Sequence, residues 1–173
     1  MSEKTCLIVP MARDLADQGH KLGLESEWRL AKAYGVYIRK RTMGQNVLFI
    51  SGAGMAPKTI FPGQTMAMFF LQQQYLSQQG VPDNCLHSPI KPRWGSRAEM
   101  EETILHAKTI KGEIEIIFVS SWYHIPRLRL LLWQYRRKGG LPKATIRFVA
   151  SRGRFINALK ESPKVLAQFF GLA

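Results

Sequence analysis

The sequence predicts an α/β fold: a three-layer α/β/α sandwich around a mostly parallel sheet of about five strands. Three observations predict it. Apolar runs of strand length alternate along the chain with longer stretches of helical period. The runs are apolar throughout, as strands covered on both faces are. The chain has 173 residues, which suits one domain, read here as 1–173. A domain of that size buries roughly 70% of its unfolded surface and needs no disulfide staples.

The elements follow in order. TCLIVP (Thr5–Pro10) is the first strand. LESEWRLAKAYGVYIRKR (Leu24–Arg41) is a helix with Trp28, Ala31, Tyr34 or Gly35, and Ile38 near one face. NVLFISG (Asn46–Gly52) is the second strand. QTMAMFFLQQQYLSQQG is a helix ending at Gly80, a residue suited to a left-handed cap. NCLHS (Asn84–Ser88) is a short third strand, and SRAEMEETILHAKTI a helix with Met100, Ile104 and Ala107 near one stripe. EIEIIFVS is the fourth strand, followed by a helix through LRLLLWQYRRK and by ATIRFVA (Ala144–Ala150) as the fifth. ALKESPKVLAQFFGLA is helical in part and interrupted at Pro163.

Composition narrows the function classes. No segment reaches the roughly 18 apolar residues of a membrane span, and the first residues lack a signal-peptide pattern, so a cytoplasmic protein is expected. Cys6 and Cys85 lack metal-ligand spacing and read as buried thiols, with a disulfide between them as the alternative. No zinc motif and no acidic cluster for magnesium is present. The net charge is +13 and uneven. From Ile116 to Ala173 there are eleven Lys and Arg against one Glu, a net of +10. Such a balance invites an anionic partner, or serves as a solvated basic surface.

Right-handed crossovers bring every strand-to-helix loop to one sheet edge, where ligands of such folds bind. Four loops qualify: Pro10–Lys21, Ser51–Gln64, Ser88–Ser96 and Ser120–His124. The fourth belongs to VSSWYHIPR. Pro126 fits a first helical turn, and His124 and Arg127, three apart, share a face. The helix end and Arg127 favour an anion, while His124 can move a proton near neutral pH. In the competing reading Ser121 caps the helix, Tyr123 and His124 are packed, and Arg127 is exposed. The second loop, SGAGMAPKT, has glycines at 52 and 54 that permit close backbone approach, but it is neither a P-loop nor a dinucleotide fingerprint. In the third, Ser96 and Glu99 form an S-x-x-E capping box; the alternative puts Glu99 in the pocket as a base. The first loop offers Arg13 and Asp14, which also read as a surface pair.

LFISGAG, LSQQGVPDNCLHSP, SRAEMEET and IIFVSSWYHIPRLRLLL, in that order, resemble the ElyC/SanA/YdcF family, the bacterial domain of unknown function numbered 218. The most specific match is S-x-x-Y/F-H-x-x-R, here Ser120 to Arg127, and Arg29 matches an arginine early in the first helix of the pattern. The resemblance spans roughly Cys6 to Leu132 and implies a Rossmann-like fold with His124 and Arg127 in a pocket at the strand ends. Some members of the family are linked to cell-envelope biogenesis. The chain departs from the pattern at Pro10-Met11-Ala12, where relatives carry glycines. It departs again at Ser96-Arg97-Ala98-Glu99-Met100, where only Glu99 aligns with an N-T-x-E-N stretch.

The expected site therefore joins His124 and Glu99 as catalytic candidates. Arg13, Ser51, Gly52, Gly54, Arg97, Ser120, Ser121, Tyr123 and Arg127 are the ligand-binding candidates. The first function expected is binding of a small anionic, phosphate-bearing or nucleotide-like molecule; as an enzyme it would be a hydrolase or transferase. Two alternatives stand beside it. One is a nucleic-acid-binding module using Arg136, Arg137, Lys138, Arg147, Arg152 and Arg154. The other is a partner protein at an anionic membrane or in an envelope assembly, touching through Trp133 or QFFGLA. In the plainer reading of that tail, Phe169 and Phe170 pack the last helix onto the sheet.

Overall fold

The computed structural model describes residues 4–12, 14–16, 20–51, 54–55, 64, 66–90 and 93–169. In chain order the elements are β1 (Thr5–Pro10), β2 (Leu15–Ala16), β3 (Lys21–Leu22), α1 (Leu24–Thr42), β4 (Asn46–Ile50) and α2 (Met68–Gln78). Then come β5 (Leu86–His87), α3 (Ser96–Ala107), β6 (Ile114–Ser121), α4 (Ile125–Arg137), β7 (Ala144–Ser151) and α5 (Phe155–Phe169). Five strands form one parallel sheet ordered β5-β4-β1-β6-β7. This is the α/β architecture that the alternation of apolar runs predicts.

The central strand shows why the runs are apolar throughout. Cys6 and Ile8 of β1 join a core with Leu30, Ala33 and Val36 of α1 and Leu71 of α2. Leu7 and Val9 point the other way, into a core with Met100 and Ile104 of α3 and Leu128 and Leu131 of α4. Alternate residues of one strand thus feed two layers. Cys6 and Cys85 are buried free thiols. Gly80 closes α2 with φ 86°, and its N–H donates to the Ser77 carbonyl.

Several local expectations change. The first loop carries a small antiparallel pair, β2 with β3. Asp14 is no loose surface residue: its Oδ1 accepts the Ser26 N–H at 2.9 Å and so pins the first turn of α1. The third strand shrinks to Leu86–His87, because Asp83–Cys85 winds into a 3-10 turn. The last helix is not interrupted at Pro163 but runs through it. Pro163 and Leu159 are both exposed, so solvent can serve the carbonyl that loses its donor. Phe169 is 69% exposed rather than buried against the sheet, while Phe170 lies outside the described residues.

The chain passes from β1 through β4 to β5 on one side, then returns to place β6 on the other flank of β1. The carboxyl ends of β1 and β6 are therefore the switch point, where loops diverge and leave a crevice. α5 comes back against α4 and the turn at Trp122–His124, next to that crevice. Among the described residues no helix is long and apolar enough to cross a membrane.

Candidate functional site

The floor of the crevice is built by Arg29, whose side chain is wholly buried. Its Nη1 donates to the carbonyls of Met11 at 2.9 Å and Ala12 at 3.1 Å, just beyond β1. Its Nε and Nη2 donate to Ser121 Oγ at 3.1 and 3.0 Å, at the end of β6. One planar guanidinium thus fastens the two diverging strand ends, a task that suits its fixed fork of donors. Ser121 is consequently a strut and makes no capping bond.

Tyr123 turns away from the crevice. Its hydroxyl donates to Glu25 at the start of α1, and Glu25 also accepts the Arg154 N–H at 2.5 Å. Burial would raise the Glu25 carboxyl, but the bonds from Arg154, Tyr123 and Asn157 and the Arg29 charge hold it below its usual range. This cluster joins α1, the turn after β6 and the segment after β7.

A hollow of about 300 Å³ opens above the floor, with Ser96, Glu99, His124, Arg127 and Lys164 as its polar wall. Ala12, Trp94 and Gly95 complete the lining. Glu99, 1% exposed, accepts the Ala12 N–H at 2.8 Å through Oε1. Burial pushes its carboxyl up to about 7, against the pull of the Ala12 bond and the Arg29 charge. The capping box is not formed. Gly95, at φ 103°, is the residue that caps α3, and Ser96 stands inside the helix with its hydroxyl directed elsewhere.

That hydroxyl meets His124. Ser96 Oγ lies 2.9 Å from His124 Nε2, and His124 Nδ1 lies 2.8 Å from Glu161 Oε1. Arg127 Nη1 donates to the same Glu161 oxygen at 3.1 Å, and Lys164 Nζ approaches its other oxygen at 3.4 Å. Burial would raise the Glu161 carboxyl; the His124 bond, Arg127 and Lys164 outweigh it and hold Glu161 well below the carboxylate range. Burial lowers His124 below its usual 6.5, assisted by the Arg29 and Arg127 charges and opposed by Glu161. The imidazole is therefore neutral at pH 7. An ionised Glu161 only accepts, so Nδ1 carries the proton and Nε2 offers its lone pair to Ser96.

The structure brings His124, Glu99 and Arg127 to one hollow. Ser120 and Ser51 lie buried at the strand ends, each with a hydroxyl oxygen lacking a partner among the described residues. Gly54 is engaged through its backbone, N–H to Arg93 and carbonyl to Met68. Arg97 is exposed and lines a different groove, with Glu101, Tyr135 and Lys138. Arg13 and Gly52 lie outside the described residues. Sequence reasoning passes over Glu161 and Lys164 and takes Ser96 for a cap. Glu161 stands out in the sequence only as the one acidic side chain among eleven basic residues from Ile116 onward, which does not name its partner.

A larger hollow of about 650 Å³ lies at the amino edge of the sheet, between Lys4, Glu113 and Lys143. It lacks a buried group able to move a proton, so its size does not make it the chemical site. Comparison with protein-family models, with characterised proteins and with solved structures gave no match for this chain.

Proposed function

We propose that this chain is an ElyC/SanA/YdcF-type protein that binds a small anionic, phosphate-bearing or nucleotide-like molecule at the carboxyl edge of its sheet, where His124 moves a proton. The observation that carries the reading is Arg127. It lines the hollow, spends Nη1 on Glu161, and keeps a buried Nε with no partner among the described residues. Lys164 stands on the same wall, 48% exposed, and Arg29 lies beneath. Against these cations only Glu161 is fully ionised, because Glu99 is near half protonation at pH 7. The balance favours an incoming negative charge, and burial strengthens the attraction.

Thermal unfolding with inorganic phosphate, sugar phosphates, nucleotides and neutral sugars tests it. A ligand at 100 times its dissociation constant adds about 2.7 kcal/mol. The phosphate-bearing set raises the melting temperature of the parent, neutral sugars do not, and Arg127→Ala abolishes the gain. Equal gains in the parent and Arg127→Ala overturn the reading.

A second reading has its own support. Arg129, Arg136 and Arg147 line a groove between α4 and β7 together with Trp133 and Phe148. Cations beside aromatic faces suit single-stranded nucleic acid. Oligonucleotide affinity that falls steeply with salt and ignores Arg127→Ala would favour this groove over the hollow.

A further inference from the structure

We propose that Ser96 is a nucleophile, and that Ser96, His124 and Glu161 form a relay that hydrolyses a carboxylic ester carrying an anionic group. The proposal rests on the hollow being a ligand site and adds its reaction and substrate class.

The geometry is that of a hydroxyl, a base and an orienting carboxylate in line. Ser96 Oγ is 2.9 Å from Nε2, and Nδ1 is 2.8 Å from Glu161. Both distances fall within the reach required of a nucleophile, its base and the group that fixes the base. The three residues come from α3, the turn after β6 and α5, separated by 28 and 37 positions, so no local turn brings them together by default. Glu161 is itself fixed by Arg127 and Lys164.

A competing account makes the relay a way of satisfying a buried histidine. Two features go beyond it. Ser96 is partly exposed and lines the hollow, so it stands where a ligand would meet it rather than in the sealed core. It also stands at the first position of α3, just after Gly95, whose φ of 103° turns the chain sharply there. Gly95 holds the cap position, so the Ser96 hydroxyl, one residue further on, is left to meet the imidazole. The positive end of α3 lies beside it and favours the charge of a tetrahedral oxyanion.

The chemistry closes without a further reagent. His124 Nε2 takes the Ser96 proton as Oγ adds to the ester carbonyl carbon. The tetrahedral oxyanion collapses, the ester C–O bond breaks, and the alkoxide takes the proton from Nε2 and leaves as an alcohol. Water then gives a proton to Nε2 and adds to the acyl carbon. Collapse releases the carboxylic acid and returns the proton to Ser96 Oγ. One ester and one water become one acid and one alcohol. Arg127 and Lys164 on the same wall select an ester that bears a carboxylate or phosphate, and about 300 Å³ limits it to a small molecule.

The experiment treats the full chain with a fluorophosphonate and reads intact mass, then locates the adduct by peptide mapping. In parallel it measures hydrolysis of p-nitrophenyl acetate and p-nitrophenyl hemisuccinate. Stoichiometric labelling of Ser96, lost in Ser96→Ala, and at least tenfold preference for the anionic ester are expected. Glu161 acts through His124 as a positioning residue. Glu161→Gln slows labelling by about 10²- to 10⁴-fold, and Glu161→Asp restores part of the rate. The labelling rate in the parent rises with pH through a midpoint below 6.5, as His124 loses its proton. Melting curves of each variant confirm that it folds. No labelling of a folded parent, or labelling that survives Ser96→Ala, overturns the nucleophile. If phosphate still stabilises the parent in that case, the anion site stands without the relay; if it does not, both fall.

Discussion

Replacing Glu99 by glutamine should change how stability depends on pH. Glu99 titrates near 7 in the folded chain against 4.5 in the unfolded one. Between those values the folded state holds a proton that the unfolded state has released. Stability therefore falls as pH rises through this window, by up to 1.36 kcal/mol per unit. The interval from 4.5 to about 7 corresponds to about 3 kcal/mol. The glutamine side chain keeps the size and an oxygen for the Ala12 N–H, but cannot titrate. Urea unfolding of both proteins across this range isolates the effect, because other titrating groups cancel in the difference. The advantage of Glu99→Gln should be least at pH 4.5, grow by about 1 kcal/mol per unit, and level off above pH 7. A difference constant within about 0.5 kcal/mol would show that the carboxyl is as well solvated folded as unfolded, and would refute the account of the hollow as a low-dielectric site.

Two further substitutions probe the floor. A Cβ on Gly153 would stand 2.4 Å from Tyr123 Cε1 and 2.9 Å from Ser121 Cβ, both buried. Gly153→Ala should lower stability by about 1–3 kcal/mol in urea titrations, and an unchanged midpoint would contradict the packing. Arg29→Ala removes the donor from Met11, Ala12 and Ser121 together. It should cost about 3 kcal/mol or more by the same measurement, and a loss below about 1 kcal/mol would mean the strand ends hold without it.

The layers are legible because burial on both faces leaves a plain mark, unbroken apolar runs such as TCLIVP and EIEIIFVS. Three-residue spacing sets His124 and Arg127 on one side of one turn, which fits a packed turn as well as a pocket; the family resemblance is what points them to the pocket. Glu161 is not legible, since its partner is 37 positions away and only the return of α5 over the turn brings them together. Ser96 misleads for a related reason. Its spacing to Glu99 satisfies a local rule, but Gly95 takes the capping role while tertiary partners claim both side chains. Pro163 misleads likewise: its local bias against helix is overridden by the docking of α5.

α5 works as a rod with two working sides. Inward it holds Glu161 against His124; outward it shows Phe155, Leu159, Leu166 and Phe169 to the surroundings. Thermodynamic reciprocity then ties the two sides together. A shift of α5 that withdrew the carboxylate would leave His124 Nδ1 without its acceptor. A molecule in the hollow that prefers the oriented imidazole resists that shift with the same free energy. The carboxylate that orients His124 is thus carried by the same helix that presents this apolar face.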